Sequence, residues 1–201
     1  ITFYLFINYV LLEDPRYLDK AKALLANSSQ FMQNTGRLEM VNRYPLIFVD
    51  YAHTPEALKN TLKILVKLKS KISNESRIIT VFGAGGNRDK TKRPIMGKVA
   101  SSFSDVIILT SDNPRNEEPL SIIEDIKKGI KPEFKSVYIE VNRKEAIKKA
   151  IKIANKNDII LIAGKGHEKY QIIGNQILEF YDKEVIIQSL KDLSLLKGRK
   201  I

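Results

Sequence analysis

Asp112-Asn113-Pro114-Arg115 places an acid, an amide and a guanidinium in four consecutive residues around a proline. Pro114 fixes its own φ and pushes Asn113 out of helical space, so the three polar side chains leave the backbone at defined angles. Asp112 could hold an ammonium group, Arg115 could fork onto a carboxylate, and Asn113 could do either. Such a set suits a zwitterionic, amino-acid-like ligand. The plainer alternative is an Asx-type turn with a solvated arginine.

Other groups widen the choice. Gly83-x-Gly85 invites a dinucleotide reading, but the third glycine position of that fingerprint is Arg88, where close helix–strand packing needs no side chain. The phosphate-cradling G-x-x-x-x-G-K-[S/T] loop occurs nowhere in the chain. Lys90, Lys92 and Arg93, near an expected helix start, could attract an anion or form a solvated basic turn. The two histidines, His53 and His167, have no partners at zinc-ligand spacing, so no metal site is expected. Asp50 could bind a ribose hydroxyl or a metal-bound water, or cap a helix. Taken alone, these residues describe a cleft for an anionic or zwitterionic small molecule, with no complete catalytic apparatus.

The elements that must position them follow from hydrophobic pattern. Short apolar runs at Leu46–Val49, Ile78–Phe82, Val106–Leu109, Val137–Ile139 and Ile159–Ala163 read as buried strands. Amphipathic helices alternate with them. One opens at Thr54-Pro55, one spans about Ile95 to Phe103, and one begins near Leu120. A fourth is signalled by a capping box of Asn142 and Glu145. A hairpin turning at Gly174-Asn175 and a last helix from about Lys183 complete the chain. This is an α/β architecture: a doubly wound, mostly parallel sheet with helices on both faces, Rossmann-like, with a C-terminal hairpin. Ligands in such sheets bind beyond the carboxyl ends of the strands. Five loops then compete for one cleft: 50–54, 83–93, 111–118, 140–142 and 164–168.

Composition narrows the class. The chain has 201 residues, 43% hydrophobic and 28% charged, as in an ordinary globular domain. It has no cysteine, which excludes disulfides, thiolate metal sites and cysteine nucleophiles and fits the cytoplasm. The net charge of +11 is spread over helix positions such as Lys63, Lys67, Lys144, Lys148 and Lys152, between apolar residues. No aromatic-and-basic cluster of the kind that stacks bases appears, so nucleic acid is not the expected partner. The apolar start, Ile1 to Leu12, is shorter than the roughly 20 residues that span a bilayer, so no membrane role is expected.

Five motifs taken in order resemble a known family. They are Gly36-Arg37-Leu38-Glu39, Asp50-Tyr51-Ala52-His53-Thr54-Pro55, Gly83 through Pro94, Asp112-Asn113-Pro114-Arg115, and Gly164-Lys165-Gly166-His167-Glu168. Together they are similar to the C-terminal domain of the diaminopimelate-adding (MurE) group of Mur ligases, over about Gly36 to Val185. The resemblance implies residues 1–35 as a remnant of the central ATPase domain or a non-native lead segment, and residues 36–201 as the C-terminal domain. It implies ATP-dependent amide formation through an acyl phosphate, with ATP and magnesium held mainly by a central domain. The implied substrates are meso-diaminopimelate and UDP-MurNAc-L-Ala-D-Glu, and the implied partner is a separate N-terminal half of the same enzyme. Arg93, Asp112, Asn113, Pro114, Arg115, Gly164 and Glu168 match diaminopimelate-binding positions. Arg37, Asp50 and His53 match nucleotide-side positions. No catalytic residue falls in this chain, which is expected to be inactive by itself.

Diaminopimelate differs from lysine by one further carboxylate, which the Arg115 fork would read. Asn87 stands where the family usually has aspartate, Ala84 where cysteine is common, and Thr35 where proline often precedes Gly-Arg. Two alternatives stay open. One is a non-catalytic binding module whose basic surface meets nucleic acid or protein. The other, a nicotinamide-dependent oxidoreductase, is disfavoured by Arg88.

Overall fold

The computed structural model describes residues 36–198. The expectations for residues 1–35, an apolar run, a break at Asp14-Pro15 and a short helical pattern, lie outside the described residues.

The element order is β1 (Glu39–Arg43), β2 (Leu46–Asp50), α1 (Pro55–Ile72), β3 (Ile78–Phe82), α2 (Lys92–Phe103), β4 (Val106–Leu109) and α3 (Pro119–Lys127). It continues with β5 (Val137–Ile139), α4 (Arg143–Ile153), β6 (Ile159–Ala163), β7 (Tyr170–Ile173), β8 (Gln176–Glu179) and α5 (Asp182–Gly198). Six strands form one sheet in the order β1-β2-β6-β3-β4-β5, parallel except for β1. β7 and β8 form a separate antiparallel hairpin, turning at Gly174 and Asn175.

β6 is the central strand. Its five residues are fully buried, and each buried isoleucine or leucine contributes about 2 kcal/mol relative to exposure. Strand periodicity sends Ile159, Leu161 and Ala163 to one face, where they meet Leu58, Leu62, Met96, Ala100 and Ile123 from α1, α2 and α3. Ile160 and Ile162 go to the other face and meet Ala146, Ile147 and Ala150 of α4 with Ile186 of α5. The chain runs outward from β3 to β5 and then returns, inserting β6 between β2 and β3. That reversal puts α4 opposite α1 to α3 and opens a crevice at the carboxyl ends of β2, β6 and β3.

The local signals behave as their chemistry requires, with exceptions. Thr54 Oγ1 accepts from the Ala57 amide at 3.2 Å, and Pro55 begins α1. Asn142 accepts from the Lys144 and Glu145 amides at 3.0 and 3.2 Å, but the reciprocal half of the capping box is absent. The Asn142 amide donates to Glu140 at 3.0 Å, and Glu145 pairs with Lys148 instead. β1 escaped the sequence reading: its register is interrupted between Met40 and Asn42, which breaks the alternation by which an edge strand is recognised. Among the described residues no helix is long and apolar enough to cross a membrane.

Candidate functional site

The carboxyl edge gathers the expected residues into two adjoining groups. The first is built on the turn after β4. Asp112, Asn113 and Pro114 are buried, and Arg115 is half-buried. Two backbone approaches lock this turn against the one after β3. The Gly86 amide donates to the Asn113 carbonyl at 2.9 Å, and a Cβ at Gly86 would stand 1.8 Å from the Pro114 carbonyl oxygen. Only glycine fits there.

Arg115 has a left-handed backbone, φ 53°, unusual for a branched-fork side chain of this size. The hairpin holds it there. The Arg115 amide donates to the Ile172 carbonyl at 3.1 Å, and the Gly174 amide donates to the Arg115 carbonyl at 2.7 Å. Its Nη1 donates to the carbonyls of Gly86 and Asn113 at 3.0 and 3.3 Å, while no carboxylate among the described residues pairs with it. Nη2 and Nε make no hydrogen bond with a described residue.

Asp112 is 7% exposed, yet its carboxylate makes no hydrogen bond or ion pair with any described residue. Its Oδ2 lies 2.5 Å from where a Cβ on Gly164 would stand, and Gly164 itself has φ +116°. Gly164 is thus the residue that gives Asp112 room.

Asn113 and Glu168 are joined directly. Asn113 Nδ2 donates to Glu168 Oε2 at 2.9 Å, and Asn113 Oδ1 accepts from the Ile172 amide at 2.9 Å. Lys165, fully buried, donates to both Asn113 Oδ1 and Glu168 Oε2 at 3.1 Å. Gln171 of the hairpin donates to the Asp112 carbonyl at 2.7 Å.

The second group lies at the ends of β2 and β6. Asp50 is mostly committed to the protein. Its Oδ2 accepts from the Leu38 amide, and its Oδ1 accepts from the Ala52 amide at 2.9 Å and the Thr61 hydroxyl at 3.2 Å. Burial pushes its carboxyl up, against the lowering effect of those three donors and the Arg37 charge. One lone pair on Oδ2 is what a ligand could use. Arg37 and His53 are exposed, and His53 stacks edge-on to Tyr51 with ring centroids 4.5 Å apart. The Tyr51 hydroxyl is pushed up by burial first and then by the charges of Glu168, Tyr170 and Asp112. The Gly164 amide bonds the Asp50 carbonyl at 3.0 Å and so couples the two groups.

Arg93 is the correction. It is fully buried, and its guanidinium is consumed inside the domain. Both terminal nitrogens bond Glu117 at 3.0 Å, Nη1 also bonds Asp125 at 3.1 Å, and Nη2 the Gly85 carbonyl at 3.3 Å. Its two terminal nitrogens are taken by protein acceptors and its Nε is buried without a partner, so no edge of the guanidinium is open to a ligand. Arg93 therefore ties α2 to α3 and to the turn after β3, and it holds the site from beneath. Its charge, with the Asn87 amide and Lys90, keeps the Glu117 carboxyl down at about 2. The available guanidinium of this loop is that of Arg88, which is exposed and makes only a 3.5 Å contact with the Asn87 carbonyl. Arg88 Cγ and Arg115 Nη1 lie 3.7 and 3.1 Å from where a Cβ on Gly85 would stand, so the two arginines flank that glycine. The loop at 140–142 meets the turn after β4 through its backbone, the Val141 carbonyl accepting from the Ser111 amide and the Thr110 hydroxyl, both at 3.3 Å. Glu140 caps the amide of Asn142 and borders a groove between α4 and α5.

The sequence reading also passed over Arg143, which is 1% exposed. It pairs with Asp182 at 2.7 and 2.8 Å and with the Ala163 carbonyl at 3.0 Å, just before Gly164.

The carboxyl edge of this doubly wound α/β sheet thus carries, after β4, an acid and a guanidinium without salt-bridge partners among the described residues, the arrangement of a small-molecule-binding α/β domain. Comparison gives the family. Residues 36–166 match the Mur ligase family, glutamate ligase domain, and the chain belongs to it. It is 58% identical over 140 residues to the UDP-N-acetylmuramoyl-L-alanyl-D-glutamate–2,6-diaminopimelate ligase of Fusobacterium nucleatum, covering 69% of this chain and 28% of that protein. It is 50% identical over 147 residues to such a ligase of Clostridium acetobutylicum, covering 73% of this chain and 29% of the relative. A solved structure of a ligase of the same name superposes with a TM-score of 0.72 at 41% identity, over 79% of this chain and 32% of that one. The chain thus spans less than a third of the length of these relatives.

Proposed function

We propose that this domain is the amino-acid-binding part of an ATP-dependent ligase that joins meso-diaminopimelate to UDP-MurNAc-L-Ala-D-Glu. One observation carries the reading. Asp112 and Arg115 are opposite charges in one rigid turn, and neither has a salt-bridge partner among the described residues, although the buried Arg143 charge also acts on Asp112. The distal end of diaminopimelate presents an ammonium group and a carboxylate, the complements of those two. Arg88 offers a second guanidinium in the place expected of Arg93, and Glu168 Oε1 a second acceptor for the ammonium. Lysine has no distal carboxylate and would leave Arg115 unpaired on desolvation.

ATP supplies the activation of the acceptor carboxylate when bound. This domain's residues bind and orient the amine that attacks it. The nucleotide finds a partial fit here: Arg37 and the Tyr51–His53 pair form an exposed shelf, and Asp50 has one acceptor position to give. In the turn after β3 the Gly86 amide already bonds the Asn113 carbonyl and the Asn87 amide bonds Glu117, so neither is free for a phosphate. Among the described residues no cluster of three carboxylates or imidazoles could hold a metal ion, so magnesium would need ligands from outside them.

The test is turnover by the full-length ligase carrying this domain, with ATP and the UDP-linked dipeptide. Formation of the diaminopimelate tripeptide, with lysine a poor substitute, is expected. Preferential use of lysine would overturn the assignment.

A further inference from the structure

Lys165 is the one lysine in the described structure whose side chain is fully buried within a ligand-facing cluster. Its ammonium has two hydrogen bonds, to Asn113 Oδ1 and Glu168 Oε2, both 3.1 Å, and its Nζ lies 5.5 Å from the ring centroid of Tyr170. With the 2.9 Å bond from Asn113 Nδ2 to Glu168 Oε2, the three side chains close a triangle.

The consequences can be counted atom by atom. Asn113 Oδ1 already accepts from Lys165 and from the Ile172 amide, so the amide orientation is fixed with Nδ2 towards Glu168. Glu168 Oε2 accepts from two donors, which leaves Oε1 as its ligand-facing atom. A cation buried beside this carboxylate holds Oε2 in place through a charge-assisted hydrogen bond without itself meeting solvent.

We infer that Lys165 is a positioning residue for the amino-acid site: it fixes the Asn113 amide and presents Glu168 Oε1 to the substrate ammonium. This rests on the proposed function and deepens it, because it states which atoms of the turn remain for the ligand. Asn113 becomes a strut, and of this cluster the ligand's polar partners reduce to the Asp112 carboxylate, Glu168 Oε1 and the outer edge of Arg115, with Arg88 of the neighbouring loop beside them.

The experiment uses the full-length ligase carrying this domain, with Lys165→Met, Lys165→Arg and, as a surface control, Lys152→Met. Steady-state constants are measured for diaminopimelate and separately for ATP. Lys165→Met should raise KM for diaminopimelate about 30-fold, the scale of a lost charged hydrogen bond, and leave KM for ATP within about twofold. Lys165→Arg keeps the cation and should recover part of the loss, and Lys152→Met should match wild type. If Lys165→Met does not fold, Lys165→Arg carries the test, read by the side-chain amide signals of Asn113. Those protons should exchange slowly in wild type and faster in the arginine variant. An unchanged KM for diaminopimelate, or equal rises for diaminopimelate and ATP, would overturn the inference while leaving the proposed function standing. A wild-type enzyme that does not use diaminopimelate would overturn both.

Discussion

Replacing Arg93 separates a structural cation from a ligand-binding one. Arg93→Met keeps most of the buried aliphatic volume and removes a charge bonded to Glu117, Asp125 and the Gly85 carbonyl. Breaking a buried pair by deleting one partner costs about 3–5 kcal/mol. Here the orphaned acids keep other cations, Lys90 at 3.0 Å from Glu117 and Lys128 at 2.7 Å from Asp125, so the low end of that range, about 3 kcal/mol, is expected. For a domain of this size the loss lowers Tm by about 6–12 °C. The effect has a pH signature. Glu117 titrates at about 2 in the fold against a usual 4.5, so its contribution is present above 4.5 and is lost as pH falls through about 2. The stability gap between wild type and variant should therefore narrow across that window, as measured by urea unfolding at a series of pH values. Diaminopimelate affinity of the folded variant should stay within about threefold of wild type. A variant as stable as wild type within about 0.5 kcal/mol, but with affinity reduced more than tenfold, would refute the reasoning and return Arg93 to the ligand.

The neighbouring positions give complementary outcomes. Arg88→Ala should leave Tm unchanged, as for an exposed residue with one weak contact, and weaken diaminopimelate binding about tenfold in a calorimetric titration with the complete ligase and nucleotide. Gly164→Ala should do both kinds of damage. Its φ of +116° costs an alanine about 1–3 kcal/mol, and the new Cβ would stand 2.5 Å from Asp112 Oδ2. Thermal melting should show the first effect, and loss of measurable diaminopimelate binding the second.

The parallel strands and most helices were legible in the sequence because apolar runs and caps are local signals. The turn at Asp112 to Arg115 was legible as chemistry, and its place at a strand end followed from the alternation of elements. What escaped was pairing at a distance. Arg93 stands in register with the buried positions Met96, Gly97 and Ala100 of its helix, and Arg143 with Ala146, Ile147 and Ala150 of another. An arginine in the first turn of an apolar face must be paired. That register could have marked both as internal. Their partners Glu117, Asp125 and Asp182 lie 24, 32 and 39 residues away, and no short-range pattern names them. Lys165 gave no signal either, because a lysine between two glycines after a strand reads as a solvated turn until the hairpin and Asn113 are seen around it.

The central claim is that Arg115 reads the distal carboxylate. The direct measurement is the ratio of kcat/KM for diaminopimelate to that for lysine, in the complete ligase and in its Arg115→Ala variant. Arg115 also holds the Gly86 and Asn113 carbonyls, so its loss loosens the turn for both amino acids, and the ratio removes that common effect. The account predicts that the ratio falls about 100-fold, the scale of a desolvated charged pair, chiefly through diaminopimelate. A ratio that stays at the wild-type value, with both substrates declining together, would contradict it.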